Sequence, residues 1–390
     1  MVGITQLRKT NNKKDNKTTL DTRELPTFSI IVPAKDEEKV INRLLNSLLK
    51  LDYPDNKKEI VVVAEDGSTD KTVEICIQYA EQYSLQIRLI RQSDSNGKPS
   101  ALNFALKHVK GEIVAVFDAD NVIEKDALLR AAEYFEDSSI EALQGRSCSI
   151  NSGESMLSRF ISYEEAVRYE TYIKGKDVLG LFVPLTGSCY FVRKNVLNEL
   201  GGWNDVSLSE DMELSARLAG KGYKTRYASD VRSWQENPSN FTQLYRQRTR
   251  WFRGCMEVSL KYGKLLTKVN RRCIDAEITL FGPFMLVLFL LGYLLSIYAF
   301  LGLIQNDVFS SVLARGTLLL TTVTLFLIGT ALFYMTKPRK SANILWVPFV
   351  YAYWSLQSFI ALHAFLQIAL KRPRKWVKTA RTGVVTNHVV

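Results

Sequence analysis

The chain has 390 residues, 46% hydrophobic and 11% aromatic, enough for one large domain with a real core plus a smaller appendage. Its formal net charge is +11, and the excess flanks apolar runs (Lys261 to Arg272, Lys337 to Lys340, Lys371 to Lys375) instead of forming an aromatic-interleaved stripe, which argues against nucleic acid. The five cysteines (Cys76, Cys148, Cys189, Cys255, Cys273) form no CxxC and are odd in number, which argues against a disulfide framework or a zinc site.

Residues 1–24 are rich in Lys, Asn, Asp and Thr without periodicity and read as a disordered basic tail. They hold no apolar stretch, so no secretory signal is expected. A β-branched run at 28–32 predicts a buried strand, and helical spacing follows at 40–51. Further strands are predicted at 60–64, 85–90 and 112–117, with helices at 72–83 and 100–109 between them. Strands alternating with helices at this interval imply right-handed crossovers and a mostly parallel, Rossmann-like sheet. In such sheets ligands bind beyond the strand carboxyl ends. Asp36-Glu37, Glu65-Asp66 and Asp118/Asp120 all fall there.

Beyond this half, residues 163–180 read as helical and then loop-like, 183–192 as a strand, and 194–200 and 209–219 as helices. The α/β domain is therefore expected over 25–239. A basic, aromatic, amphipathic segment at 240–272 suits a membrane interface. Residues 273–370 carry apolar runs near 278–304, 312–336 and 344–370, long enough to span a bilayer. Basic clusters both before and after the third run place both its ends inside, so it is expected to be re-entrant or interfacial, with Pro348 as a place where it could break. Residues 371–390 form a basic tail expected on the cytoplasmic side.

Several motifs carry chemistry. Asp118-Ala119-Asp120 ends a strand, and two carboxylates one residue apart can hold a hard divalent cation while leaving room for phosphate. Glu65-Asp66-Gly67-Ser68 turns into a helix; Asp66 either belongs to that turn or accepts from a uracil imide N–H. Lys98 reads equally as a diphosphate contact or a solvated loop lysine. In Ser209-Glu210-Asp211, Ser209 suits a helix cap, while Asp211 could act as a general base beside Glu210. Gln247, Arg250 and Trp251 have the spacing QxxRW, in which an indole can stack on a sugar and Arg250 can meet phosphate.

Together these residues resemble glycosyltransferase family 2, in its membrane-integrated processive branch, over about residues 28–265. Pro33-Ala34-Lys35-Asp36-Glu37 resembles the first-strand motif, with Asp36 where Asn is common. Glu65-Asp66-Gly67-Ser68 resembles the nucleotide-contacting DDG motif, with Glu for its first Asp. Thr186-Gly187-Ser188-Cys189 resembles the acceptor loop, and Ser209-Glu210-Asp211 the TED motif with Ser for Thr. Trp376 to Gly383, including Thr379 and Arg381, is similar to the gating loop of cellulose synthase, with one extra residue before the glycine.

The resemblance implies a GT-A fold with C-terminal transmembrane helices, a UDP-sugar donor, Mg or Mn, and an inverting mechanism. It implies Asp211 as catalytic base and Pro33, Glu37, Asp66, Lys98 and Asp118 around the nucleotide. Asp118 and Asp120 would hold the metal, and Thr186, Gly187, Ser188, Gln247, Arg250 and Trp251 would meet acceptor and diphosphate. Expected partners are the donor, a glycan or lipid acceptor and membrane lipids, with a homo-oligomer if more helices must enclose a channel. The expected setting is a prokaryotic plasma membrane with the catalytic domain in the cytoplasm. A growing β-linked polysaccharide is the favoured acceptor, and a single membrane lipid is the alternative. A non-catalytic nucleotide-binding scaffold is disfavoured because Asp118, Asp120 and Asp211 are all present.

Overall fold

The computed structural model describes residues 25–93, 97–267, 270–301, 308–335, 347–374 and 378–387. The expected disordered tail at 1–24 and the basic cluster at 337–340 lie outside them. The strands are β1 Phe28–Ala34, β2 Lys58–Glu65, β3 Ile87–Gln92, β4 Ile113–Val116, β5 Val122–Ile123, β6 Ile140–Ser149, β7 Tyr190–Arg193 and β8 Lys224–Gln235. They form one mixed sheet in the order β3-β2-β1-β4-β7-β6-β8-β5. The β3-β2-β1-β4 half is parallel throughout, as the alternation of strands and helices predicts. Past it, β7 runs antiparallel to β4 and β6, while β6 and β8 are parallel.

Helices α1 Ile41–Leu49, α2 Thr72–Gln82 and α3 Lys98–Leu106 accompany the first half of the sheet, and α4 Ala127–Phe135 packs on β6 and β8. Strand side chains point to opposite faces in turn, so β1 serves two cores. Ile30 and Val32 pack with Leu44, Leu45 and Leu48 of α1. Ile31 packs with Ala101 and Leu102 of α3 and with Leu214 and Leu218 further along the chain. Apolar cover on both faces explains the near-continuous β-branched runs of β1 and β2.

The second half departs from expectation in two places. The predicted strand at 183–192 survives only as β7, because Gly187 and Cys189 adopt left-handed φ of 83° and 52° and turn the chain into a loop. Strands β6 and β8 had no sequence prediction. Their alternation is interrupted by charge and by register shifts near Gly145, which hide the period-2 signal.

Helix α5, Met156–Val167, continues through a π-helical stretch Arg168–Ile173 into α6, Lys174–Val178. Helices α7 Lys194–Leu200, α8 Glu210–Lys221 and α9 Phe241–Tyr262 follow. Three long helices close the chain: α10 Arg271–Phe300, α11 Val308–Met335 and α12 Val347–Ala369. They cover the described part of the predicted apolar runs, apart from a residue or so at their ends. Among the described residues one segment, Arg271–Ala299, is long and apolar enough to cross a bilayer, with a window hydropathy of 2.3. Helix α12 is described from Val347, with Pro348 in its first turn, where proline lacks only an N–H that has no intrahelical partner; the residues just before it, where a break near Pro348 would show, lie outside the described residues. Met256 of α9, Val287 of α10 and Ala361 of α12 pack together and join these helices to the sheet domain. Leu288, Phe289, Leu294 and Leu295 of α10 are exposed, a large apolar surface for any soluble protein.

The close approach of β6, β7 and β8 yields a direct test. A Cβ at Gly145 would lie 2.5 Å from Cys189 Sγ and 2.8 Å from the Val231 carbonyl oxygen. Gly145→Ala is expected to destabilise the chain by about 1–3 kcal/mol, read as a lower midpoint in thermal unfolding.

Candidate functional site

The carboxyl ends of β1, β2 and β4 open into a cleft of about 530 Å³ that runs on to α9, α10 and α12. Pro33, Glu37, Lys98, Asp118, Asp120, Thr186, Gly187, Glu210, Asp211, Gln247, Arg250, Trp251, Thr379 and Arg381 all line it. Residues from seven parts of the sequence that the motif reading singled out therefore share one cavity.

The acidic end is organised by cations. Lys98, at the start of α3, donates to Asp118 Oδ1 at 2.5 Å and to the Gly187 carbonyl at 2.5 Å, and lies 3.4 Å from Glu210 Oε1. It is a buried ion-pair centre, not a solvated loop lysine. Burial lowers its pKa, but Asp118, Glu210 and Asp211 outweigh that and raise it overall. Burial also pushes the Asp118 carboxyl up, with Lys98 opposing. Asp120 Oδ2 accepts from the Glu236 N–H at 3.0 Å and from Arg381 Nη2 at 3.1 Å.

Asp211 stands in the first turn of α8. Burial, then the neighbouring Glu210 charge, raises its pKa to about 7 against the pull of Lys98. Its Oδ1 accepts the Met212 N–H at 2.8 Å. Its Oδ2 faces Gly187, where an added Cβ would sit 3.4 Å away. The bare glycine at φ 83° thus leaves space beside a carboxylate oxygen. Such a group can take a proton from a hydroxyl placed in that space. Arg250 donates to the Leu208 carbonyl at 3.1 Å and faces Glu210, Asp211 and Asp118.

The other end is more apolar. Trp251 and Phe252 of α9, Pro283 of α10 and Trp354 of α12 line it. The Arg248 guanidinium stacks 4.7 Å from the Trp251 ring centroid and grips Glu164 through two bonds of 3.1 and 2.8 Å. Tyr353 of α12 donates to the same Glu164 at 2.6 Å. Glu165 lines the cleft beside it, its pKa raised to about 7 by burial, with Gln235 and Asn237 as hydrogen-bond donors.

Two expected site residues stand elsewhere, and a third is not among the described residues. Asp66 lies outside the cleft wall, paired with Arg91 at 2.7 Å, because the β2–β3 ladder brings their backbones together. Ser188 is buried beneath the floor, where its Oγ accepts the Asp118 N–H and donates to Asn121. Trp376 lies outside the described residues. Sequence reasoning missed Glu236, Glu165 and Arg248. Glu236 ends β8 just before Asn-Pro, the kind of strand-end acid that drew attention to Asp118. Arg248 and Trp251 are three apart on a helix, a spacing that puts them on one face.

No three Asp, Glu, His or Cys side chains among the described residues form a metal-binding group. Asp118 and Asp120 fit a hard cation as two oxygen ligands, with the rest supplied by phosphate and water. The buried Glu37 Oε2, which has no hydrogen-bond partner, adds an acceptor on the same wall.

Residues 26–254 match the family model described as Glycosyltransferase like family 2. The chain is 30% identical over 372 residues to the probable glycosyltransferase YdaM of Bacillus subtilis, covering 92% of this chain and 88% of that protein. It is 28% identical over 373 residues to a beta-monoglucosyldiacylglycerol synthase of Trichormus variabilis, covering 92% of this chain and 77% of that protein. Among solved structures, the mannosyltransferase PcManGT from Pyrobaculum calidifontis, in complex with GDP-Man and Mn2+, shares the fold: TM-score 0.60, 20% identity, 95% of each chain covered.

The raised Asp211 pKa has a consequence for stability. A carboxyl whose folded pKa exceeds its unfolded value favours the folded state at low pH, and that contribution is lost as pH rises through about 7. Asp211→Asn removes the titration. The melting temperature of the variant is expected to gain on that of the parent between about pH 5 and pH 8, and parallel curves would contradict the burial described above.

Proposed function

Because the chain belongs to glycosyltransferase family 2 and is a hexosyltransferase, we propose that it moves one hexose from a UDP-sugar to the hydroxyl of a membrane lipid, with inversion. The observation that carries this reading is the continuity of the cleft. One cavity joins the Asp118/Asp120 pair, through Asp211, to Pro283 and Trp354 on the long apolar helices. An acceptor with an acyl body suits that apolar end better than a hydrated glycan does. The Trichormus variabilis relative, named for making a glucosyl lipid, matches this chain through the helical region as well as the sheet domain.

In this reading the sheet domain is cytoplasmic and α10, α11 and α12 lie in the membrane, with the exposed apolar face of α10 toward lipid. The segment 240–272 lies at the interface, and the tail from 371 returns to the donor side. Asp118 and Asp120 would hold a Mg or Mn ion, which when bound supplies charge neutralisation for the leaving diphosphate. Lys98, Arg250 and Arg381 stand where they can share that task as fixed positive charges.

Asp211 Oδ2 takes the proton of the acceptor hydroxyl, whose oxygen attacks the anomeric carbon as the bond to the diphosphate oxygen breaks. The electron pair of that bond leaves with UDP. A base with a pKa near 7 matches neutral pH, being half ionised yet basic enough to accept a proton. Trp251 offers a planar apolar face for the sugar, and Arg248 holds its ring from behind.

Asp211→Asn is expected to lower transfer by about 10²–10⁴-fold with little change in donor affinity. In the parent enzyme kcat/KM should rise with pH through about 7 and then level, as Asp211 ionises. Mass analysis of products from native membranes given mixed UDP-sugars reads the acceptor directly. A single hexose on lipid supports the proposal, whereas a ladder of sugar lengths would replace it with polysaccharide synthesis.

A further inference from the structure

Glu236 is buried at the end of β8 and meets two parts of the molecule at once. Its own N–H donates to Asp120 Oδ2 at 3.0 Å, and its carboxylate lies 3.7 Å from Arg43, whose Nη2 donates to the Asp120 carbonyl at 2.9 Å. Toward the other side it receives the C-terminal segment. Oε1 accepts from the Thr382 N–H and, at 2.9 Å, from Thr382 Oγ1. Oε2 accepts the Gly383 N–H at 3.0 Å, and the Glu236 carbonyl accepts from Arg381. Two successive backbone N–H groups converging on one carboxylate make a charge-assisted clamp, stronger than neutral bonds. Gly383 takes φ 80° to present its N–H, with Lys39 close behind: an added Cβ would sit 3.2 Å from the Lys39 carbonyl oxygen.

The segment is also tied further along. Gly153 N–H donates to Thr386 Oγ1 at 2.8 Å, and Asn387 Nδ2 donates to the Ser149 carbonyl at 2.7 Å. Those ties hold its end, whereas Glu236 holds the stretch beside the cleft. With 382–383 fixed, Arg381 reaches Asp120 and Lys378 reaches Glu37 at 2.9 Å, so both cations face the acidic end.

We propose that Glu236 is a positioning residue for the transfer reaction: it seats segment 378–387 so that Lys378 and Arg381 face the donor diphosphate, and it ties that seat to Asp120. The proposal rests on the reading of this end of the cleft as the donor site. When a diphosphate enters, Lys378 and Arg381 can exchange carboxylate partners for phosphate oxygens while the backbone stays clamped on Glu236. The residue therefore acts on donor binding and leaves the proton transfer at Asp211 alone.

The test uses the full chain, purified in detergent, with UDP-sugar and Mg or Mn. Glu236→Ala is expected to raise the donor KM about tenfold or more while kcat changes by less than about threefold. Trypsin cleavage after Lys378 and Arg381, followed by mass spectrometry, should accelerate about tenfold as the segment lifts. Glu236→Gln keeps one acceptor oxygen and should recover part of both effects. Gly383→Ala attacks the clamp from the segment side and carries the test if the Glu236 variants do not fold. An unchanged or lower donor KM in Glu236→Ala and Gly383→Ala would overturn the proposal, the lower value marking the segment as a competitor of the donor. A parent enzyme that releases no UDP would overturn the donor-site reading instead, and the trypsin comparison would still report whether Glu236 seats the segment.

Discussion

The molecule is built around a repulsion. Glu37, Asp118, Asp120, Glu210, Asp211 and Glu236 line one cleft at the carboxyl ends of the parallel strands of a mixed sheet. Buried like charges at this spacing resist ionisation, and each must be neutralised, protonated or bonded. Lys98 answers Asp118 and Glu210 from α3, while Arg381 answers Asp120 from the far end of the chain. Asp211 has backbone support at one oxygen, and burial first, then the Glu210 charge, raises its pKa. Asp211 and Glu37 are both lifted to about 7 by burial, the range in which a carboxylate can take a proton at neutral pH.

That arrangement also explains why the chain crosses the cleft so often. Neutralising acids on the ends of β1, β4 and β8 takes cations from α3 and from the C-terminal segment, since the strand ends themselves supply mostly carboxylates. The basic and aromatic α9 closes the remaining side and passes the site on to the apolar helices through Arg248, Trp251 and Phe252.

Much of this was legible in the sequence. Strands β1, β2 and β4 announce themselves because both faces are covered and their centres are runs of apolar residues. The acids that end them inherit a position as soon as the strands are placed, which is why Glu37, Asp118 and Asp120 were found. The gaps have physical causes as well. Strand β8 reads KTRYASDVRSWQ, with charge on its partly covered face, so neither the strand nor Glu236 at its end stands out. Asp66 stands outside the cleft wall, since a motif gives spacing along the chain but not the direction of a side chain, and Arg91 on the next strand pairs with it. Lys98 was undecided because its partner Gly187 lies 89 residues away.

The grip of Arg248 and Tyr353 on Glu164 has one more consequence. Three chain segments, α5, α9 and α12, meet there through a guanidinium, a phenol and a carboxylate, and losing one partner of a buried pair costs about 3–5 kcal/mol. The sheet domain and α12 are thereby riveted together at the Trp251 ring. The Trp251 ring therefore rests on a guanidinium that is itself held from α5 and α12, so its placement depends on all three segments at once.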